Sequence, residues 1–250
     1  MKKMGIITSL LMCFGTAGGS AVASGTPEGD TPYEVDSFET VSGKQVKFHA
    51  LLHASILIEY DGMAIYVDPV RRLGGRTVDY ALLPEADLIL VTHEHGDHFD
   101  KEHLEKADAA IVTNSRCAEM LGRGEVMANG DEIRIREDIL VSAVPAYNIT
   151  EGHTRFHPKG RDNGYILTLD GLRIYIAGDT EDIPEMADIK DIDVAFLPCN
   201  QPYTMTPGQL VRAAKVISPK VLFPYHYGTT DVSGITAELP GVDVRIRQYQ

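Results

Sequence analysis

Thr92-His93-Glu94-His95-Gly96-Asp97-His98-Phe99 is the stretch on which the reading of this chain turns. Three imidazoles and a carboxylate crowd into six positions, a nitrogen and oxygen donor set that suits zinc and its first-row neighbours, with no sulfur among them. The run just upstream, Ala86 to Val91, is short, apolar and β-branched, so it is expected to be a buried strand ending where the histidines begin. The donors then lie on a post-strand loop, where alternation no longer sends side chains to opposite faces and Gly96 lets the backbone bend. Their spacing does not fit a helical HExxH site. So short a loop cannot fill two metal sites, and further donors must come from other parts of the chain.

Working outward, strand-like and helix-like segments alternate. Asp61-Gly-Met-Ala-Ile-Tyr-Val67 matches Asp170-Gly-Leu-Arg-Ile-Tyr-Ile176. Each Asp-Gly lies between β-rich runs, Ser55 to Tyr60 before the first and Tyr165 to Leu169 before the second, as in tight hairpins. Each hairpin is followed by a polar stretch and another apolar strand, Asp87 to Val91 and Asp193 to Pro198, which implies two similar β-rich halves. Amphipathic patterns at Asp100 to Lys106, Ser115 to Leu121 and Pro207 to Ile217 supply helices, the last opened by Thr206 as N-cap with Pro207 in its first turn.

A length of 250 residues suits one large domain or two small ones, and 44% hydrophobic with 24% charged residues is ordinary for a globular protein. Residues 1–23 read as a secretory signal peptide: Lys2 and Lys3, an apolar run from Ile6 to Phe14, then small residues ending Ala21-Val22-Ala23. The apolar run falls short of the roughly 20 residues a membrane span needs, so no transmembrane helix is expected in the mature chain. Cys13 offers a poor match to a lipoprotein cleavage box, because Met12 stands where a small residue belongs. Residues 24–32 read as a flexible mature N-terminus and residues 33–250 as a single domain, exported to the periplasm or secreted. Losing the leader takes the charge from −13 to −15, a field that repels nucleic acid and disfavours a nuclease. Cys117 and Cys199 are expected to be buried free thiols.

The pattern His93-x-His95-x-Asp97-His98 resembles the signature of the metallo-β-lactamase superfamily. The resemblance runs on in order through His53-Ala-Ser, Asp68-Pro69, Gly178-Asp179-Thr180 and Pro224-Tyr-His226-Tyr-Gly228. The finer pattern is similar to the branch that includes ascorbate phosphate lactonase and N-acyl phosphatidylethanolamine phospholipase D. It implies an α/β fold, a four-layer αββα sandwich of two similar β-rich halves. It also implies two divalent ions, zinc in the first instance with manganese or iron compatible, His93 and His95 on the first ion, and Asp97, His98 and His226 on the second. Asp179 bridges the two in this pattern, emerging at a strand end through Gly178, and Asp68 hydrogen-bonds a ligand histidine from outside the shell.

The family's third histidine on the first ion has no fixed counterpart. The corresponding strand, Ile139 to Ala146, continues Tyr147-Asn148, and histidines arrive only at His153 and His157. His157 is favoured because Phe156-His157-Pro158-Lys159 after Pro-Ala-Tyr-Asn resembles a pattern found in relatives, and Pro158 stiffens its loop; His153 is the alternative, and if neither binds, the site is mononuclear. The stretch Ile149 to Asn163 also reads as a lid. His53 is expected to be a buried, hydrogen-bonded residue at the pocket edge, and His49 and His103 to lie outside the site. Tyr147, Asn148, Tyr203 and Tyr227 are candidates for hydrogen bonds to substrate. The implied activity is that of a metal-dependent hydrolase acting on a small-molecule substrate. A metal-bound hydroxide, oriented by Asp97, attacks an ester, lactone, amide or phosphodiester. The alternative is a metal or ligand binding protein on the same scaffold. Oligomeric state is left open.

Overall fold

A computed structural model describes residues 4–5 and 32–249. The leader-like segment 1–23 and the stretch 24–31 lie outside the described residues, apart from Met4–Gly5, which runs parallel beside Glu132–Ile133.

Two sheets are built to one plan. The first orders β1 (Val35–Glu39), β2 (Gln45–Leu52), β3 (Ser55–Tyr60), β4 (Met63–Val67), β5 (Leu88–Leu90), β6 (Ala110–Thr113) and β7 (Glu125–Val126) from edge to edge in sequence order. The second repeats the order with β8 (Glu132–Arg136), β9 (Ile139–Ala146), β10 (Asp162–Leu169), β11 (Leu172–Ile176), β12 (Val194–Pro198), β13 (Val221–Tyr225) and β14 (Asp243–Val244). In each, four antiparallel strands precede three added in parallel. The two matching Asp-Gly turns join the third and fourth strands of their sheets, with Asp61 at φ 48 and Asp170 at φ 43, each followed by a glycine at positive φ. Asp tolerates that left-handed backbone and Gly does so freely, which is why this dipeptide closes two-residue hairpins.

The sheets pack face to face. Phe48, Ile56, Ile58, Ile65 and Leu90 from the first meet Val141, Leu167, Ile174, Phe196 and Phe223 from the second in one buried core. Phe196 and Phe223 stack at 4.9 Å between ring centroids, a contact worth about 1 kcal/mol beyond its buried area. The parallel strands are buried on both faces, so they read as continuous apolar runs and not as alternating ones. On the outer face of the first sheet, Leu57, Ile89 and Ile111 pack with Leu104 of α1 (Lys101–Lys106) and Cys117 and Leu121 of α2 (Ser115–Leu121). On the outer face of the second, Ala195, Leu197 and Leu222 pack with Leu210, Ala214 and Ile217 of α3 (Pro207–Ile217). The result is the four-layer αββα sandwich. Thr206 and Gln209 form a capping box at the start of α3. Cys117 and Cys199 are both buried and free. Among the described residues no helix is long and apolar enough to cross a membrane.

At the turn end of the sandwich the halves are tied together. Asp170 accepts from Thr40 Oγ1 (2.7 Å), and Lys44 reaches Asp61 (3.0 Å) and Asp138 (3.1 Å). Arg136 also bridges Asp61 and Asp138, at 2.9 Å and 2.7 Å. The opposite end, where the strands preceding Asp68, His93, Asp179 and His226 stop, carries the donors.

Candidate metal centre

Strand ends and the loops beyond them deliver every donor. Buried β5 releases the chain at Val91, and the loop that follows carries His93, His95, Asp97 and His98 into one pocket. β11 continues through Ala177 and Gly178 to Asp179, and β13 ends one residue before His226. Gly178 sits at φ 65, and a Cβ there would stand 2.9 Å from the Asn163 carbonyl oxygen, so the approach to Asp179 requires glycine.

The pocket holds three groups of donors, each with its ligand atoms within 4.8 Å of one another: His93, His95 and His157; His93, His98 and Asp179; and His53, Asp97 and His226. Asp179 lies among them. Its Oδ1 is 3.2 Å from His98 Nε2, and its Oδ2 is 3.3 Å from both His157 Nε2 and His226 Nε2. Despite those separations, Asp179 Oδ1 and the Nε2 atoms of His98, His157 and His226 make no hydrogen bond, although all are buried. Buried polar atoms are almost always hydrogen-bonded. Lone pairs that converge on shared space without pairing with each other are what a cation needs, and the residues present fit one.

The groups behind the donors fix their tautomers. Thr92 Oγ1 donates to Asp68 Oδ2 (2.7 Å) and so accepts from His93 Nδ1 (2.9 Å). His98 Nδ1 donates to Asp68 Oδ2 (2.7 Å), and His157 Nδ1 donates to Asp162 Oδ2 (3.0 Å). Each of these three rings therefore turns Nε2 inward; those of His98 and His157 have no hydrogen-bond partner, and that of His93 lies 3.1 Å from His95 Nδ1. Asp162 is in turn held by Arg161 (2.6 Å), and Arg161 shares buried Glu94 with Arg116, at 3.4 Å and 2.9 Å. Burial penalises the charge on Asp179, but His226, His98 and His157 outweigh it and hold its carboxyl well below the usual range. Burial pushes His93 well down, reinforced by neighbouring His98. For His98 burial also opposes protonation, yet the carboxylates of Asp179, Asp68 and Asp97 carry it well above its ordinary value. His157, opposed by burial and raised by Asp162 and Asp179, reaches about 9.

Of the two histidines open at the sequence level, His157 joins His93 and His95, with ring centroids 4.9 Å and 4.8 Å away. His153 is turned elsewhere, 3.2 Å from Glu181. Buried Glu181 also accepts from the backbone of Ile149 (2.8 Å) and Thr150 (2.6 Å), anchoring the root of the 149–163 segment. His53 goes further into the site than its sequence position suggests, with Nε2 3.3 Å from Asp97 Oδ2 and its ring 3.8 Å from that of His226. His49 pairs with Glu59 and His103 packs on Tyr80, both outside the site. The expected substrate contacts fare differently: the hydroxyls of Tyr147 and Tyr227 are engaged by Glu185 and by the Arg247 carbonyl, and the Asn148 amide donates to the Tyr203 carbonyl. Thr92, Asp162, Arg161 and Glu181 escape sequence reading because each belongs to no ligand motif, and only the folded backbone turns its side chain toward a histidine or its support. Beside the donors, a cavity of about 380 Å³ is lined by His53, Leu73, Arg76, Tyr227 and Gly228.

A β-lactamase superfamily domain matches residues 47–226, most of the chain and every donor. The chain belongs to the metallo-β-lactamase superfamily. Its curated relatives include a UPF0173 metal-dependent hydrolase of Thermococcus kodakarensis, 33% identical over 74% of this chain and 85% of the relative. Among solved structures, a protein of Parabacteroides distasonis assigned as a metal-dependent hydrolase is 51% identical, with a TM-score of 0.83 over 87% of this chain and 100% of the other. The metallo hydrolase Igni18 of Ignicoccus hospitalis is 26% identical, with a TM-score of 0.70 over 80% and 94% of the two chains. With these relatives and this donor pocket, this superfamily member is a metal-dependent hydrolase, and the reading as a binding protein without turnover falls away.

Proposed function

We propose that the pocket binds two divalent ions and hydrolyses a small ester, lactone, amide or phosphodiester. One observation carries the reading: a single buried carboxylate, Asp179, stands among the three donor groups and faces one histidine from each, His157, His98 and His226, at 3.2–3.3 Å. A carboxylate so shared could serve two ions, and His93, His95 and His157 would then hold the first while Asp97, His98 and His226 would hold the second. Zinc is the proposed occupant, and manganese or iron suit the same nitrogen and oxygen donors. Bound there, the ions supply Lewis acidity, lowering the pKa of a water and polarising the oxygen of the scissile group.

The chain's own residues do the rest. Asp68, Thr92 and Asp162 hold His98, His93 and His157 in the tautomer that presents Nε2, so no reorientation is needed when substrate arrives. Asp97 is the most exposed carboxylate of the set, its side chain 30% accessible, which leaves it an edge to orient the attacking water. The cavity beside His53 and Arg76 receives the substrate and limits it to small-molecule size. The sequence of residues 1–23 supports an exported, periplasmic or secreted protein. The test is to load the protein with zinc or manganese, count ions per chain, and screen lactones, phosphodiesters, acylated lipids and β-lactams. Hydrolysis lost to a chelator and restored by metal is expected; activity unchanged in metal-free protein would overturn the proposal.

A further inference from the structure

We infer that His53 is itself a metal ligand, completing the second donor group as His157 completes the first. The inference rests on the two-ion reading above. Three observations meet at this residue.

The first is its place in the fold. The connection between the second and third strands of the second sheet, from β9 to β10, carries His157. In the first sheet the same connection, from β2 to β3, is the short link after Leu52, and it carries His53. Each half thus sends one histidine to the site from the same point in its strand order, and the two arrive in different groups.

The second is spacing. His53 Nε2 lies 3.3 Å from Asp97 Oδ2, and His226 Nε2 lies 3.4 Å from the same oxygen. Neighbouring donors about 2.0–2.1 Å from one ion stand roughly 2.9–3.4 Å from each other, depending on the angle between them. A hydrogen bond to Asp97 has the same length; what the spacing adds is that one carboxylate oxygen stands equally far from two imidazoles, His53 and His226.

The third is the backbone. His53 has φ 57, in the left-handed region, and His226 has φ 50. The register of β2 against β3 slips between Ala50 and Leu52, immediately before His53, and the His53 carbonyl accepts from the His226 backbone N–H (3.1 Å). A bulge that re-aims a side chain, followed by a non-glycine residue in a conformation glycine would adopt more readily, marks a position kept for its side chain. Asp97, His98 and His226, the groups against the His53 ring, are all members of the site.

The experiment compares the wild-type protein with His53→Gly and His53→Asn, two residues that accept a left-handed backbone. Each is loaded with cobalt(II), followed by metal titration and visible absorption. The wild type is expected to take up two ions. Both variants should keep the first ion unchanged, bind the second at least tenfold more weakly and show an altered cobalt spectrum, and added imidazole should restore much of the loss in His53→Gly. Two unchanged binding steps with an unchanged spectrum would overturn the inference. A weakened second step with His53 Nε2 more than 3 Å from the ion in a metal-loaded wild-type structure would also overturn it, leaving a positioning role. All of these readouts stand apart from turnover, so failure to find a substrate does not bear on them.

Discussion

Asp68 and Asp179 hold the same place in the two halves, each beyond the fourth strand of its sheet, and they act in opposite ways. Asp68 follows β4 directly and is fully satisfied: its oxygens accept from Thr92 N, Thr92 Oγ1 and His98 Nδ1, each at 2.7 Å. Asp179 comes two residues further from its strand, past Gly178, and keeps Oδ1 without a hydrogen bond. The same two-residue extension lifts the second acid out of the strand end and into the donor pocket. A carboxylate with its hydrogen bonds filled orients a ligand, and one left unfilled in a buried site is free to hold a cation. The duplicated frame therefore yields a hydrogen-bonded acid in one half and, on the proposed reading, a metal-binding acid in the other.

Exchanging the weight of these two acids would break the comparison. Asp179→Asn is expected to abolish hydrolysis and reduce metal content to one ion or fewer per chain, measured by atomic emission after dialysis. Asp68→Asn keeps the ligand set and should weaken metal binding by about 10–100-fold, the usual cost of losing an orienting partner. Equal losses, or a larger loss at Asp68, would mean the two acids are not divided in this way.

A subtler effect is expected from pH in the metal-free protein. His157 is raised from 6.5 to about 9, so the stability its charge contributes is complete below 6.5 and lost as pH rises through about 9; raised His98 acts in the same direction. His93 and His95 are lowered, chiefly by burial, so keeping them neutral costs stability as pH falls below 6.5. The melting temperature of chelator-treated protein should therefore peak between these limits and fall by pH 10, while the metal-loaded form, whose donors are already engaged, stays flatter. A metal-free melting temperature that rises from pH 8 to 10 would contradict the assignment.

The smallest effect separates the two loop histidines. His153→Ala removes a single contact to Glu181 and should cost about 1 kcal/mol or less with metal content unchanged. Loss of an ion in that variant would exchange the places of His153 and His157.

Much of this was legible in the sequence, for reasons that can be named. The donor loop announced itself because four donors lay within six residues, and the paired Asp-Gly hairpins exposed the two halves because turn chemistry is local. The buried parallel strands and α3 followed from apolar runs and from Thr206 as N-cap with Pro207 in the first turn. His157 against His153 was not decidable, because it depends on Glu181 and Asp162, which lie 28 and 5 residues from their histidines and meet them only in three dimensions. His53 was undervalued because a histidine between Leu52 and Ala54 looks like strand interior until the bulge and the left-handed backbone are seen. Tyr147 and Tyr227 drew attention as polar aromatics, yet their hydroxyls are taken up within the protein.

The knot of Lys44, Asp61, Arg136 and Asp138 at the turn end has a bearing on how anything enters. The sheets are tied at that extremity, and their shared apolar face is closed between them. Access has to come from the rim above the donors, where the segment carrying His157 is pinned at its root by Glu181 and the short Arg72–Leu73 and Arg76–Thr77 hairpin stands at the mouth of the cavity. What this protein admits is therefore decided by the edges of its loops, and a graft of those edges alone should change its diet while the frame beneath stays the same.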